Sequence, residues 1–273
     1  MKRIIFLMFC AVVFSSCSNE LTEPANLMEI KTNIDYKIAP SRNVNLSNFD
    51  RTPSEWGENV TGVKTRFQTD KKEIALTFDA CGGEYGNGYD EKLISFLRKE
   101  QIPATLFINE RWIMENEDTF LELANDPLFQ IENHGSNHSP LSVNGGEAWG
   151  IPATESVKEV YEEIMNNHDT VKQLTEREMT LFRSGTAYYD EVAIELANAL
   201  GYEVVNYTIL GDAGATFSSE QVKRALLSAE PGDIALLHMN QPRSGTAEGI
   251  RQAIPLLKEQ GFEFVLLEGK KLE

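Results

Sequence analysis

From Lys71 onward the chain alternates short apolar runs with stretches of helical periodicity, and this alternation limits the fold more than any other feature. Ile74–Phe78 is apolar and ends at Asp79, and a glycine-rich segment, Gly82–Gly88, follows. Asp90–Glu100 then carries Leu93, Ile94, Phe96 and Leu97 at helical spacing. Further strand-like runs fall at Ala104–Ile108, Phe129–Ile131, Met179–Phe182, Glu203–Thr208, Ile234–Leu237 and Phe262–Leu266. Helical patterns lie between them at Trp112–Ala124, Glu155–Leu174, Asp190–Leu200, Ser218–Ser228 and Thr246–Gln260, with Ser218 or Ser219 as an N-cap. About seven β–α steps with near-continuous apolar strands predict a parallel sheet covered by helices. An open doubly wound sheet and a barrel both satisfy this pattern. The glycine segment has the wrong spacing for a dinucleotide turn and reads as a flexible active-site loop.

The region before this alternation has a different character. Lys2 and Arg3 precede an apolar stretch, Ile4–Phe14, that is short for a membrane span, so residues 1–17 read as an export signal. Phe14-Ser15-Ser16-Cys17 resembles the lipobox of bacterial lipoproteins. Cys17 is therefore the expected lipidation site, and the chain is expected to be exported and anchored in the cell envelope. A plain secretory cleavage nearby is the alternative. Residues 18–56 are rich in Asn, Ser, Pro, Thr and Glu and read as a tether and irregular lead-in, with the catalytic domain at 57–273. Cys10 is lost with the signal, so Cys81 stands alone in the mature domain and no internal disulfide can form. The net charge of −17 becomes −19 once Lys2 and Arg3 are removed. Such a surface disfavours nucleic acid and anionic membrane, leaving the lipid as the only expected membrane contact. Oligomeric state is not legible.

In parallel α/β folds chemistry gathers at the C-terminal ends of the strands. Here those ends carry Asp79, His134 with His138, Arg183, Asp212 shortly after Thr208, and His238. A single Asp or His after a strand is ordinarily a cap or a packed polar group. Five strands delivering ionisable groups to one rim predict an active site. His134 and His138, two of only four histidines, are spaced to hold zinc or a similar divalent ion. Asp79 can act as base, Arg183 can keep it ionised, His238 can act as acid, and Asp212 can keep His238 charged. His168, beside Asn166, Asn167 and Asp169 within a helix, reads as exposed and idle. Trp112, Trp149, Tyr188 and Tyr189 can line a sugar groove, although core packing is the simpler expectation for most of them; no substrate-binding residue is assigned.

From Lys71 to Leu267 these residues resemble the polysaccharide deacetylases of carbohydrate esterase family four, the NodB-homology fold. Thr77-Phe78-Asp79 is similar to the family's first motif, whose first aspartate is the base. His134-Gly135-Ser136-Asn137-His138 is similar to the second, in which both histidines bind the metal. Arg183 stands where the third motif holds the base, Asp212 where the fourth tunes the acid, and Leu236-Leu237-His238 resembles the fifth, whose histidine is the acid. The resemblance implies a distorted (β/α)7 barrel, a divalent metal such as zinc, and hydrolytic removal of N- or O-acetyl groups from an acetylated glycan.

The chain also departs from that pattern. The second aspartate of the first motif, the usual third metal ligand, is Ala80. Arg183 is followed by Ser184-Gly185-Thr186 in place of a Pro and an aromatic residue, and Ala213 replaces a tryptophan. Asp79, Cys81 as thiolate, or solvent can complete the metal shell. The altered motifs leave two further readings open: a hydrolase of another non-peptide C–N bond, and a catalytically retired glycan-binding lipoprotein.

Overall fold

The computed structural model describes residues 44–273. The signal, Cys17 and the tether up to residue 43 lie outside the described residues. The order of elements follows the predicted alternation: β1 (Glu73–Ala80), α1 (Glu91–Glu100), β2 (Ala104–Ile108), α2 (Glu110–Glu115), α3 (Glu117–Ala124), β3 (Phe129–Asn133), a hairpin of β4 (Glu147–Ala148) and β5 (Ile151–Pro152), α4 (Val157–Thr175), β6 (Leu181–Phe182), α5 (Glu191–Ala199), β7 (Glu203–Val204), β8 (Ile209–Leu210), α6 (Ser219–Leu226), β9 (Ile234–His238), α7 (Thr246–Glu259) and β10 (Glu263–Phe264). The main sheet runs β7-β6-β3-β2-β1-β9-β8, all parallel, with β10 added beside β1. Seven strands on one curled path, whose end strands β7 and β8 do not pair with each other, form the distorted (β/α)7 barrel.

Strand parity sorts the side chains, because successive residues point to opposite faces. In β1, Ile74, Leu76, Phe78 and Ala80 join the large cluster under the helices. Ala75 faces the other way, into a small cluster with Phe67, Phe107, Leu181, Val205, Ile234, Leu267 and Leu272 that fills the barrel. Thr77 and Asp79 share the parity of Ala75, so Asp79 tops the barrel interior. Register then places Asp79 opposite His238 of β9.

Three departures from the predicted elements have physical causes. Trp112–Ala124 is two helices, broken at Asn116, whose side chain donates to the carbonyls of Asn87 and Trp112. The run expected at Met179–Phe182 shortens to β6, because the Glu132 carboxylate accepts the Thr180 and Leu181 N–H groups (2.9 and 2.7 Å). The run expected over Glu203–Thr208 stops at Val204. Beyond it, the Val205 and Asn206 carbonyls accept from the Arg183 guanidinium, and the Asn206 N–H donates to Lys64. Helix α6 begins on the expected Ser218, which forms a capping box with Gln221.

The lead-in packs onto α5. Glu191 accepts the Ser54 and Glu55 N–H groups, and Arg51 pairs with Glu195 at 2.7 Å. His168 corrects the expectation of an exposed, idle side chain. It is buried, with Nδ1 on the Tyr202 hydroxyl and Nε2 3.2 Å from Glu178. Its polar neighbours conceal that it stands four residues after Ile164 and eight after Val160, on the buried stripe of α4.

Candidate active site

The rim of the barrel brings together Asp79, Cys81, His134, His138, Arg183, Asp212 and His238. Arg183 organises one half from inside the core, with no exposed surface. Its Nη1 donates to Asp79 Oδ1 (2.8 Å) and Thr77 Oγ1 (2.9 Å), its Nε to the Val205 carbonyl (3.0 Å) and its Nη2 to the Asn206 carbonyl (3.0 Å). The guanidinium also lies 4.2 Å from the Phe107 ring centroid. Burial alone pushes the Asp79 carboxyl up, but Arg183, His134 and His238 outweigh it and hold the group below its ordinary value. Oδ1 is committed to Arg183; Oδ2 faces His134 Nε2 at 3.6 Å.

Asp212 organises the other half. Its Oδ1 lies 2.8 Å from His238 Nδ1, while its Oδ2 accepts the His238 N–H (2.7 Å) and the Thr246 hydroxyl (2.8 Å). Burial works to lower the His238 pKa, but the Asp212 carboxylate, with help from Cys81, raises it well above its ordinary value. The imidazolium form is thus favoured, with Nδ1–H on Asp212.

The histidine loop is clasped from behind. Glu163 of α4 accepts from the Ser136 hydroxyl and from the N–H groups of Asn137 and Ser139. Burial pushes its carboxyl above the usual value although these donors oppose the shift. A Cβ on Gly135, which has φ of 76°, would come within 2.3 Å of the Glu163 carboxylate. On the other side Asn109 donates to the carbonyls of His134 and Gly135 (2.9 and 2.8 Å). A Cβ on Gly185 would meet the His138 carbonyl at 2.1 Å, so the turn after Arg183 closes against the same loop. Neither Glu163 nor Asn109 is singled out by the sequence motifs. Glu163 could have been found as an acid on the apolar stripe that Val160, Ile164 and Val171 define.

The donor set fits a metal. His134 Nδ1 is 2.9 Å from the Arg183 carbonyl and must carry the proton there, which leaves a lone pair on Nε2. His138 Nε2 is buried and has no hydrogen-bond partner. Cys81, His134 and His138 present ligand atoms within 4.8 Å of one another. Burial raises the Cys81 thiol, but His138 and His238 bring its pKa down to about 6, which favours thiolate.

Of the aromatic residues considered for a sugar groove, Trp112 and Tyr189 are fully buried. Trp149 is 75% exposed at the tip of the β4–β5 hairpin. Its ring lies 6.0 Å from that of Tyr188, which in turn lies 5.8 Å from Trp56. This surface trio adjoins the site through the 184–189 turn, where the Leu141 N–H donates to the Tyr188 carbonyl.

Residues 66–205 match the family model for polysaccharide deacetylase. The chain is 27% identical over 231 residues to an uncharacterised protein of Geobacillus stearothermophilus, covering 80% of this chain and 79% of that one. It is 24% identical over 213 residues to the peptidoglycan-N-acetylmuramic acid deacetylase of Bacillus subtilis, covering 75% and 73%. Among solved structures, a family 4 carbohydrate esterase pseudoenzyme from Bacillus anthracis superposes with a TM-score of 0.62 at 22% identity, covering 79% and 68%.

Proposed function

Because the chain belongs to the polysaccharide deacetylase family, we propose that it hydrolyses acetyl groups from an acetylated glycan of the cell envelope, with Asp79 as base and His238 as acid. The observation that carries this reading is a pair of close ion pairs, Asp79–Arg183 and His238–Asp212, each at 2.8 Å, with Asp79 and His238 on adjacent strands. Asp79 is held ionised by Arg183 and His238 is held protonated by Asp212, beside three convergent metal-ligand side chains. Two groups driven apart in this way have their acid and base roles assigned by their surroundings.

His134 and His138 would hold the cation. When bound, a divalent ion such as zinc supplies Lewis-acid chemistry, lowering the pKa of water and polarising a carbonyl. The chain's own groups then move the protons. Asp79 Oδ2, the oxygen not used by Arg183, takes a proton from the attacking water. His238 Nε2–H gives one to the departing amine or alkoxide, and Asp212 stabilises the imidazolium before transfer. The products are acetate and the free amine or alcohol. Arg183, Asp212, Glu163 and Asn109 position these groups without touching substrate.

A peptidoglycan substrate is supported by the Bacillus subtilis relative's name and by the export signal and lipobox at Cys17, which would anchor the enzyme in the envelope. The test is acetate release by the zinc-loaded protein from acetylated peptidoglycan, chito-oligosaccharides and acetylated xylan. Native protein is expected to release acetate from at least one of them, and His134→Ala to reduce release to background. Metal-loaded native protein that releases none from the whole panel overturns the reading.

Trp149 is expected to act on binding of the polymer. Stacking on an exposed indole contributes about 0.5–1.5 kcal/mol beyond simple burial, or about 2- to 10-fold in affinity. Trp149→Ala should raise KM for long glycans by that factor and leave kcat on a short acetylated sugar unchanged. An unchanged KM on the polymer would exclude a platform at this hairpin.

The alternative of a retired binder is favoured by one observation, the alanine at position 80 where the third ligand is expected. It predicts glycan affinity with no turnover at any metal loading. A buried Asp79–Arg183 pair and an Asp212–His238 pair, both intact, weigh against it.

A further inference from the structure

We propose that Cys81, as thiolate, is the third protein ligand of a cation held by His134 and His138, making a Cys-His-His site selective for zinc and similar soft metals. This rests on the metal-dependent reading above and goes beyond it by naming the ligand that replaces the missing aspartate and by leaving Asp79 outside the coordination shell.

Strand parity is the first reason. Ala80 packs into the core cluster beneath the helices, so position 80 offers nothing to the site. Asp79 and Cys81 flank it, and alternation turns both toward the barrel rim. Asp79 is already engaged, with Oδ1 on Arg183 at 2.8 Å. The described ligand atoms that converge are those of Cys81, His134 and His138, and Asp79 is not among them.

Geometry is the second. Cys81 Sγ lies 3.9 Å from His134 Nε2. A tetrahedral zinc with Zn–S of ~2.3 Å and Zn–N of ~2.0–2.1 Å sets sulfur and nitrogen about 3.5 Å apart, so only a small contraction is needed. Among the described residues, the ligand atoms that converge within 4.8 Å are those of Cys81, His134 and His138. His138 Nε2, buried without a partner, gains its missing interaction from the same ion.

The third reason is that the backbone around Cys81 is built to aim it. Arg111 donates to the Cys81 carbonyl at 3.1 Å. Gly82 follows at φ of 69°, and a Cβ there would come within 2.6 Å of the Trp112 nitrogen. Only glycine permits this turn against α2, and the turn presents the sulfur to the two histidines.

Ligand chemistry then sets the preference. Two imidazoles and a thiolate suit zinc and cobalt, whereas magnesium, calcium and manganese favour oxygen donors. The site should bind zinc and discriminate against the hard cations.

The experiment is titration of the apo protein with cobalt(II) and zinc, read by absorption spectroscopy, calorimetry and alkylation of the free thiol. The native protein should bind one equivalent of cobalt with a near-ultraviolet thiolate-to-cobalt charge-transfer band, and zinc should protect Cys81 from iodoacetamide. Cys81→Ser should lose the band and at least ~100-fold in zinc affinity, the upper end of what outer-shell partners alone cost. Cys81→Asp should regain binding without the band and shift preference toward manganese. Stoichiometric cobalt binding by native protein without the band overturns the proposal, and so does unchanged zinc affinity in folded Cys81→Ser. The native spectrum does not depend on any variant folding. Acetate release without the band would sink the ligand assignment and spare the deacetylase reading; the band without acetate release would do the reverse.

Discussion

Replacing Arg183 by leucine is expected to lower folding stability by about 3–5 kcal/mol and to abolish acetate release in the fraction that still folds. The guanidinium has no exposed surface and makes four hydrogen bonds, to Thr77, Asp79, Val205 and Asn206. Its loss leaves a buried carboxylate and two buried carbonyls without a donor. Leucine restores apolar bulk over Phe107 but pairs none of them. Arg183→Lys should recover only part of the loss, since an ammonium cannot span acceptors on both sides of the barrel. The penalty has a predictable pH dependence. Asp79 titrates below its ordinary value in the folded protein, so its pairing stabilises fully above the unfolded carboxyl pKa of ~3.9 and fades as pH falls through the lower folded value. Urea unfolding of native and Arg183→Leu protein should therefore differ most at neutral pH and converge in acid. Equal midpoints at neutral pH would show that the buried pair contributes nothing.

Asp79→Asn is the second large effect, an expected 10²- to 10⁴-fold fall in kcat with one equivalent of metal still bound. Asparagine keeps the shape and can still accept from Arg183, but it cannot take a proton. The pH profile of native kcat/KM should be bell-shaped. The acid limb falls as Asp79 protonates, below the usual carboxylate range, and the alkaline limb falls as His238 loses its proton, well above the usual imidazole range. Asp79→Asn should remove the acid limb and keep the alkaline one. If metal is lost together with activity, Asp79 is a ligand and the base lies elsewhere. The His238–Asp212 pair also has a stability consequence of opposite sign. Its contribution is full below the unfolded imidazole pKa of ~6.5 and is lost as pH rises through the higher folded value. Alkaline loss of activity is thus expected to coincide with some loss of stability.

Arg183 and Glu163 differ in how far the chain's own pattern reveals them. Arg183 follows a recognisable strand in Leu181-Phe182, so its place on the rim is readable. That its side chain reaches back through the barrel to Val205 and Asn206 depends on closure of the sheet. Glu163 lies in the helix after the histidine loop with no motif around it, and only the packing of α4 against that loop turns it into a clasp. His168 shows the same effect in reverse. Its neighbours are polar and its spacing is apolar, and the spacing decides. The seven apolar runs all became strands, but three were shortened, two of them where side chains, Glu132 and Arg183, captured the backbone groups that a ladder would have used.

The chain alone determined the alternation of strands and helices, the parity that turns Asp79 to one face and Ala80 to the other, and the candidates at the strand ends. These follow from local periodicity and residue chemistry, which need no knowledge of distant contacts. The tertiary structure decided which carboxylate faces which cation, that His138 Nε2 stands buried without a partner, and that Cys81 converges on the two histidines. Those outcomes depend on sheet register and barrel curvature. A shift of one residue between β1 and β9 would part Asp79 from His238 without altering either strand's pattern.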